Sequence, residues 1–324
     1  MITRVRPARG EGEIPAAVAE AADFLQRGAL VAVPTETVYG LACDALDAGA
    51  AARVFAAKER PSFDPLIVHV AGASWIPRLS SADGPVLALA QELAATFWPG
   101  PLTLVLPSRD EVPDLVRSGL PTVALRCSAH AVMSALLAVL NRPLAAPSAN
   151  RFGRISPVTA EHVVEELGGR IPLVLDGGSC AHGLESTIVA VEDGRLTILR
   201  PGPVTKEQLA PFAAVSAAVR GSAVAAPGML ASHYAPRTPL RLLAAGETAG
   251  EVEGCGLLAF GPGTASGFFA VERLSSDQAE AAREFFAALR RLDAAGLRCI
   301  YAQSIPESGL GLAIMDRLRR AAHG

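Results

Sequence analysis

Along the chain, short apolar runs bounded by turn residues alternate with alanine-rich amphipathic stretches. A short apolar run between turn signals reads as a buried strand, and an apolar period of about 3.6 residues reads as a helix. Strands are therefore predicted at 29–33, 65–70, 102–106, 122–126, 172–175 and 186–191, and helices at about 48–58, 84–97, 129–140 and 159–167. Thr159 opens the last of these helices, with Glu161 and Glu165 supplying negative charge near its N-terminus, where the helix dipole favours it. Asp193-Gly194, between STIVAV and RLTILR, is the strongest hairpin signal in the chain, because both central positions of such a turn favour positive φ. That turn sets Ser186 and Arg200 close together at the outer ends of two paired strands. The alternation as a whole predicts an α/β fold, a mixed twisted sheet flanked by helices.

From about Pro211 the period is lost, and the segment from Gly221 to Pro239 is rich in Pro, Gly and small residues, as an interdomain linker would be. Beyond it a strand (256–260), a helix (about 277–295), a strand (298–302) and a helix (about 310–321) make a second, small Rossmann-like α/β unit. That unit carries no glycine-rich phosphate loop and reads as accessory. The predicted division is a catalytic domain over 1–215, a linker over 216–239 and an accessory domain over 240–324; 324 residues, half of them apolar, are enough to build two cores.

A net charge of -3 and a pI near 6.1 offer no global attraction to nucleic acid or anionic membrane, so an anion site must be a local cluster of cations. No apolar run approaches the roughly 18 residues of a spanning helix, and the N-terminus has no secretory signal. The chain therefore reads as soluble and cytoplasmic. Its five cysteines are odd in number and widely spaced, which fits reduced thiols rather than a disulfide frame or a zinc site. Only Lys58 and Lys206 among 29 basic residues are lysines; since ammonium and guanidinium are not interchangeable, Lys58 inside a motif gains weight.

Five segments concentrate polar and cationic groups at strand ends or on loops, where rigid elements present functional groups. They are PTETVYGL (34–41), Lys58-Glu59-Arg60-Pro61 leading into PLIVHV with His69, TVALR ending at Arg126, PSAN (147–150) with Ser156, and GLESTI (183–188) with Arg200-Pro201-Gly202. Each has a plainer reading. Thr35, Glu36 and Thr37 equally serve to cap a turn, and Lys58 and Arg60 sit where the dipole of a helix end favours cations without any ligand. His69 equally suits a satisfied core histidine. Together the segments supply cations, hydroxyls and an amide with no Cys/His dyad and no Walker or G-x-G-x-x-G loop, an inventory for binding polyanions rather than for nucleophilic catalysis.

Read in order, PTETVYGL, K-x-RP with PLIVH, PSAN and STI…LRPG resemble the threonylcarbamoyl-adenylate synthases with a YrdC-like fold, and PGMLASHYAP followed by a small domain resembles the longer, two-domain type. The resemblance runs from about Ile14 to Ala322. It implies a nucleotidyltransferase that condenses L-threonine with bicarbonate or carbon dioxide to a carbamate. The carbamate then attacks the α-phosphorus of ATP and expels pyrophosphate, and the product goes to a transferase that modifies tRNA. Mutually repelling anions must be held together, so positioning and electrostatics would dominate. By resemblance, Thr35, His69, Arg126 and Ser186 bind threonine. Lys58, Arg60, Asp64, Thr122, Ser148, Asn150, Ser156, Arg200 and Tyr234 fall to ATP, with Mg²⁺ bridging phosphates and taking few protein ligands. No residue is assigned as acid, base or nucleophile. His233 and Tyr234 match a linker segment that closes over the site in relatives. One departure stands out: the family has Asp-Asn where this chain has Phe63-Asp64. The competing implication is binding of double-stranded RNA, with which YrdC-like domains are linked; the acidic pI weighs against it.

Overall fold

In the computed structural model, residues 1–218, Ala226 and 233–323 are described. Among them the strands form two sheets. Across the larger sheet run Arg4–Pro7, Leu173–Asp176, Val31–Val33, Gly40–Asp44, Leu144–Ala145, Ile67–His69, Thr122–Arg126, Leu102–Pro107, Thr187–Glu192, Arg195–Arg200 and Ala214–Ala217. Parallel and antiparallel neighbours are mixed, as in the pairing of Ile67–His69 with Thr122–Arg126 (parallel) and with Leu144–Ala145 (antiparallel). The smaller sheet, in the order Leu240–Leu243, Ile300–Gln303, Gly256–Phe260 and Ala270–Leu274, is wholly parallel. This is the predicted mixed α/β sheet with a second α/β unit.

The apolar patterning works as its periods imply. The helices Ala48–Lys58 and Gly84–Phe97 bury one face each, and the hairpin turns at Asp193-Gly194, with Gly194 at φ 65°. Thr159 caps Ala160–Leu167 by accepting from the His162 backbone N–H. Three elements were not anticipated near the N-terminus, the first being the edge strand Arg4–Pro7, which pairs with Leu173–Asp176. The helix Ile14–Gln26, with Pro15 in its first turn, packs with Ala131–Leu140 on one face of the sheet. The strand Gly40–Asp44 continues directly from the PTETVY loop and pairs back on Val31–Val33. It has no β-branched residue, so only its pairing partners mark it as a strand. A single apolar core extends from Leu30, Leu41 and Leu104 into the second unit at Leu258, Phe285 and Ile314, so the two units share buried surface. The predicted linker over 216–239, and its reading as a lid, lies for the most part outside the described residues; His233 and Tyr234 are inside them. No helix among the described residues is long and apolar enough to cross a membrane.

Candidate functional site

The polar segments converge on one cavity of about 520 Å³. Its wall includes Thr35, Arg60, His69, Arg126, Ser148, Arg200 and Tyr234 from the predicted set, with Thr37, Glu185 and His233 beside them.

Strand register explains the first pair. Ile67–His69 and Thr122–Arg126 run parallel with His69 opposite Arg126, so both side chains emerge at carboxyl ends of parallel strands, where open α/β sheets form ligand crevices. Arg126 Nη2 lies 2.8 Å from Glu36 Oε1, and Arg126 Nε donates to the Gly100 carbonyl at 3.3 Å. The Ser128 hydroxyl donates to the other Glu36 oxygen. Burial pushes the Glu36 carboxyl up, but Arg126 and then Ser128 outweigh it and hold the group down at about 2, so Glu36 stays ionised and keeps the guanidinium aimed. Burial, reinforced by Arg126, lowers His69 to about 3; it stands neutral in the wall.

Thr35 caps a turn, as its plainer reading expected, and also lines the cavity. Its hydroxyl donates to the Val38 carbonyl at 2.6 Å and accepts from the Thr37 and Val38 N–H groups at 3.2 Å each. That tight local turn presents the residue to the cavity. PSAN is pinned to the same strand: Leu41 N–H donates to the Pro147 carbonyl at 2.7 Å and Ala149 N–H to the Tyr39 carbonyl at 2.8 Å. Lys58, the last residue of its helix, is 1% exposed and donates from Nζ to the carbonyls of Ser148 and Asn150. It braces the loop from behind the wall, and burial drives its pKa well below the ordinary lysine value. Asn150 staples the same loop by donating to the Arg151 and Arg154 carbonyls at 2.7 and 2.9 Å.

Beyond the hairpin the register shifts between Ile198 and Arg200, setting Arg200 opposite Ile188; such a bulge re-aims a side chain. Arg200 donates to the Ser186 carbonyl from Nε at 3.1 Å and from Nη2 at 3.0 Å, and to the Ser186 hydroxyl at 3.1 Å. Gly202 permits this packing, since a Cβ there would stand 2.5 Å from Thr187 N and 2.6 Å from the Glu185 carbonyl oxygen. Ser156 donates to Glu185 Oε1. Arg60 donates to the Asp64 and Pro65 carbonyls at 3.1 and 2.8 Å. Burial lowers the pKa of Arg60 and Arg200 as well. Three buried basic groups thus stand beside one cavity, Arg60 with Asp64 as its counter-ion.

Of the predicted residues, Lys58, Asp64, Asn150, Ser156 and Ser186 stand one layer behind the wall and act on residues that form it. Thr122 does not reach it. It begins the strand that Arg126 ends, opposite Pro107, about 13 Å away at roughly 3.3 Å per residue. Sequence reading gave Glu36 only a turn-capping role and singled out neither Glu185 nor Arg317; their partners lie far off in the chain, so no local signal pointed to them.

Asp64 is fully buried, and Arg60 Nη2 lies 2.9 Å from its Oδ2. Burial pushes its carboxyl up against the pull of Arg60, Lys58 and Arg200. Its carboxylate thus stands among the basic groups beside the cavity, where it would repel an anionic substrate. Asp64→Asn is therefore expected to lower the KM for a phosphate-bearing substrate by about fivefold to thirtyfold, since a like charge close to a phosphate costs on the order of 1–2 kcal/mol when partly screened. An unchanged KM in steady-state kinetics removes Asp64 from the site.

The chain is similar over nearly its whole length to known proteins. A family model covering Sua5, YciO and YrdC, described as telomere recombination, matches residues 23–202. A second, the C-terminal domain of threonylcarbamoyl-AMP synthase, matches 204–323. The threonylcarbamoyl-AMP synthase of Pyrococcus abyssi (strain GE5 / Orsay) is 39% identical, covering 93% of each chain. This chain belongs to the threonylcarbamoyl-AMP synthase family. A second family member, from Bacillus subtilis (strain 168), is 38% identical over 95% of this chain and 93% of its own. The crystal structure of P. abyssi Sua5 complexed with L-threonine superposes with a TM-score of 0.91 at 35% identity, covering 99% of this chain and 98% of that one.

Proposed function

We propose that the chain synthesises L-threonylcarbamoyl-AMP from L-threonine, bicarbonate and ATP. The observation that supports this most is the gathering of desolvated cations (Lys58, Arg60, Arg126, Arg200) around a single cavity beside hydroxyls and a neutral histidine. In this reading Arg126 holds the threonine carboxylate with its two-pronged fork, while Thr35, His69 and Ser186 shape the same pocket. The threonine amine displaces water from bicarbonate to give the carbamate. One carbamate oxygen forms a bond to the α-phosphorus, the bond from that phosphorus to the bridging oxygen breaks, and pyrophosphate leaves. Lys58, Arg60, Ser148, Asn150, Ser156 and Arg200 serve the triphosphate, directly or through the wall they brace, and Tyr234 closes its side. Thr122, a strand length from the cavity, takes no part in this reading.

Mg²⁺ arrives with ATP as part of the substrate, held by phosphate oxygens and needing few protein ligands. Among the described residues no group of three or more His, Cys, Asp or Glu gathers for a metal. We assign catalysis to 1–215, connection to 216–239 and an accessory role to 240–324, and place the reaction in the cytoplasm, where the product passes to a tRNA threonylcarbamoyl transferase. Purified protein is expected to release pyrophosphate from ATP only when threonine and bicarbonate are both supplied. Release that ignores threonine overturns the reading.

A further inference from the structure

The second unit reaches the cavity wall through Arg317, beside the Phe286 ring against Tyr234 and the Arg320 carbonyl that accepts the His233 N–H. Arg317, on the helix Leu310–Ala321, is fully buried. Its Nε donates to Glu185 Oε2 at 3.1 Å, and its Nη1 donates to the Pro201 carbonyl at 2.5 Å and to Asp316 Oδ2 at 3.2 Å. Its guanidinium also stands 5.4 Å from the centre of the Tyr234 ring. Glu185 and Tyr234 are wall residues, and Pro201 directly follows the wall residue Arg200. The other Glu185 oxygen accepts the Ser156 hydroxyl. Two residues upstream, Gly183 has φ +69°, and a Cβ there would stand 2.3 Å from the Arg283 carbonyl oxygen. The loop carrying Glu185 is thus seated on the helix Gln278–Ala294 of the second unit. The matched family models meet between 202 and 204, so the Glu185–Arg317 pair joins one to the other.

Charge gives the contact its consequence. Glu185 is 5% exposed and borders a cavity whose proposed substrates are all anions. Left without a counter-ion, its carboxylate would repel a triphosphate or swing onto Arg200, whose fork grips Ser186. A buried carboxylate is tolerated when a well-placed cation and hydrogen bonds satisfy it, and Arg317 with Ser156 does both.

We propose that Arg317 is a positioning residue of the ATP site. From the second unit it neutralises Glu185, fixes Ser156 through it and anchors the backbone next to Arg200, so that the site is complete only with that unit docked. The inference rests on the synthase reading above.

The test is steady-state pyrophosphate release by the full chain, with saturating threonine and bicarbonate and ATP varied. Release by the unaltered protein is measured first; its absence sinks the synthase reading itself. Given that activity, Arg317→Met is expected to raise the KM for ATP at least about tenfold, while kcat changes by less than about threefold. The double variant Glu185→Gln/Arg317→Met is expected to bring KM back to within about threefold of the unaltered value, because the charge needing neutralisation is gone. Damaged packing alone would not be repaired by a second substitution. An unchanged KM in Arg317→Met, or a double variant no better than the single, overturns the proposal while leaving the synthase reading intact. If Arg317→Met does not fold, the double variant decides alone: a folded protein with near-native KM supports the role, and an unfolded one or a KM raised about tenfold ends it.

Discussion

Lys58→Ala is expected to lower the threonine-dependent rate of pyrophosphate release by about 10²-fold or more, the scale on which removal of one preorganised electrostatic group acts in a dry site. The ammonium sits behind Ser148 and donates to the Ser148 and Asn150 carbonyls. Alanine removes a basic group from behind the cavity wall and leaves two carbonyls of the PSAN loop without their donor. Each such loss costs about 1–3 kcal/mol, so the loop that presents Ser148 is loosened as well. Lys58→Arg is not expected to restore the rate, since a planar fork cannot place one compact charge between two carbonyl oxygens. Full activity in Lys58→Ala, with melting unchanged, would remove this residue from the catalytic account.

Acid is the second lever. His69 is held neutral by burial, with a folded pKa of about 3 against 6.5, and burial, then Arg60, Lys58 and Arg200, likewise lower that of His233. A folded state that resists protonation loses stability as pH falls through the unfolded value. The loss begins near pH 6.5 and reaches about 2 kcal/mol for His69 at pH 5, with His233 adding to it in the same direction. For a chain of this size that predicts a fall in melting temperature of roughly 5 °C between pH 7 and pH 5. Asp64, whose folded pKa is raised, works in the opposite direction but in the lower range where carboxylates titrate. Glu36, held at about 2, stabilises the fold above the ordinary glutamate value and loses that contribution only as pH falls toward 2. A flat melting temperature from pH 7 to 5 in buffered thermal scans would show that these histidines are charged or hydrated in the folded protein.

Most of the framework was legible because local patterns specify it. The helices Ala48–Lys58, Gly84–Phe97 and Leu310–Ala321 and the strands Thr122–Arg126 and Gly256–Phe260 begin and end where apolar period and turn residues place them. The strand Gly40–Asp44 was missed because pairing with Val31–Val33 on one side and Leu144–Ala145 on the other, rather than its composition, makes it a strand. At the site, the motifs identified which segments matter but not which atoms face the cavity. Asn150 and Ser156 spend their polar groups on Arg151, Arg154 and Glu185, and Thr122 lies a strand length from Arg126. Neither burial nor direction of a side chain can be read from its neighbours in the chain.

Local order carried the alternation of strands and helices, the hairpin that brings Arg200 to Ser186, and the set of basic and hydroxyl residues suited to anionic substrates. These follow from backbone preference and side-chain chemistry, which act over a few residues. Long-range packing alone decided that His69 and Arg126 share a register, that Glu36 orients Arg126, and that Arg317 meets Glu185 across 132 positions. Such meetings depend on how a whole sheet and a shared apolar core close, and desolvation, which gives these charges their strength, exists only after that closure.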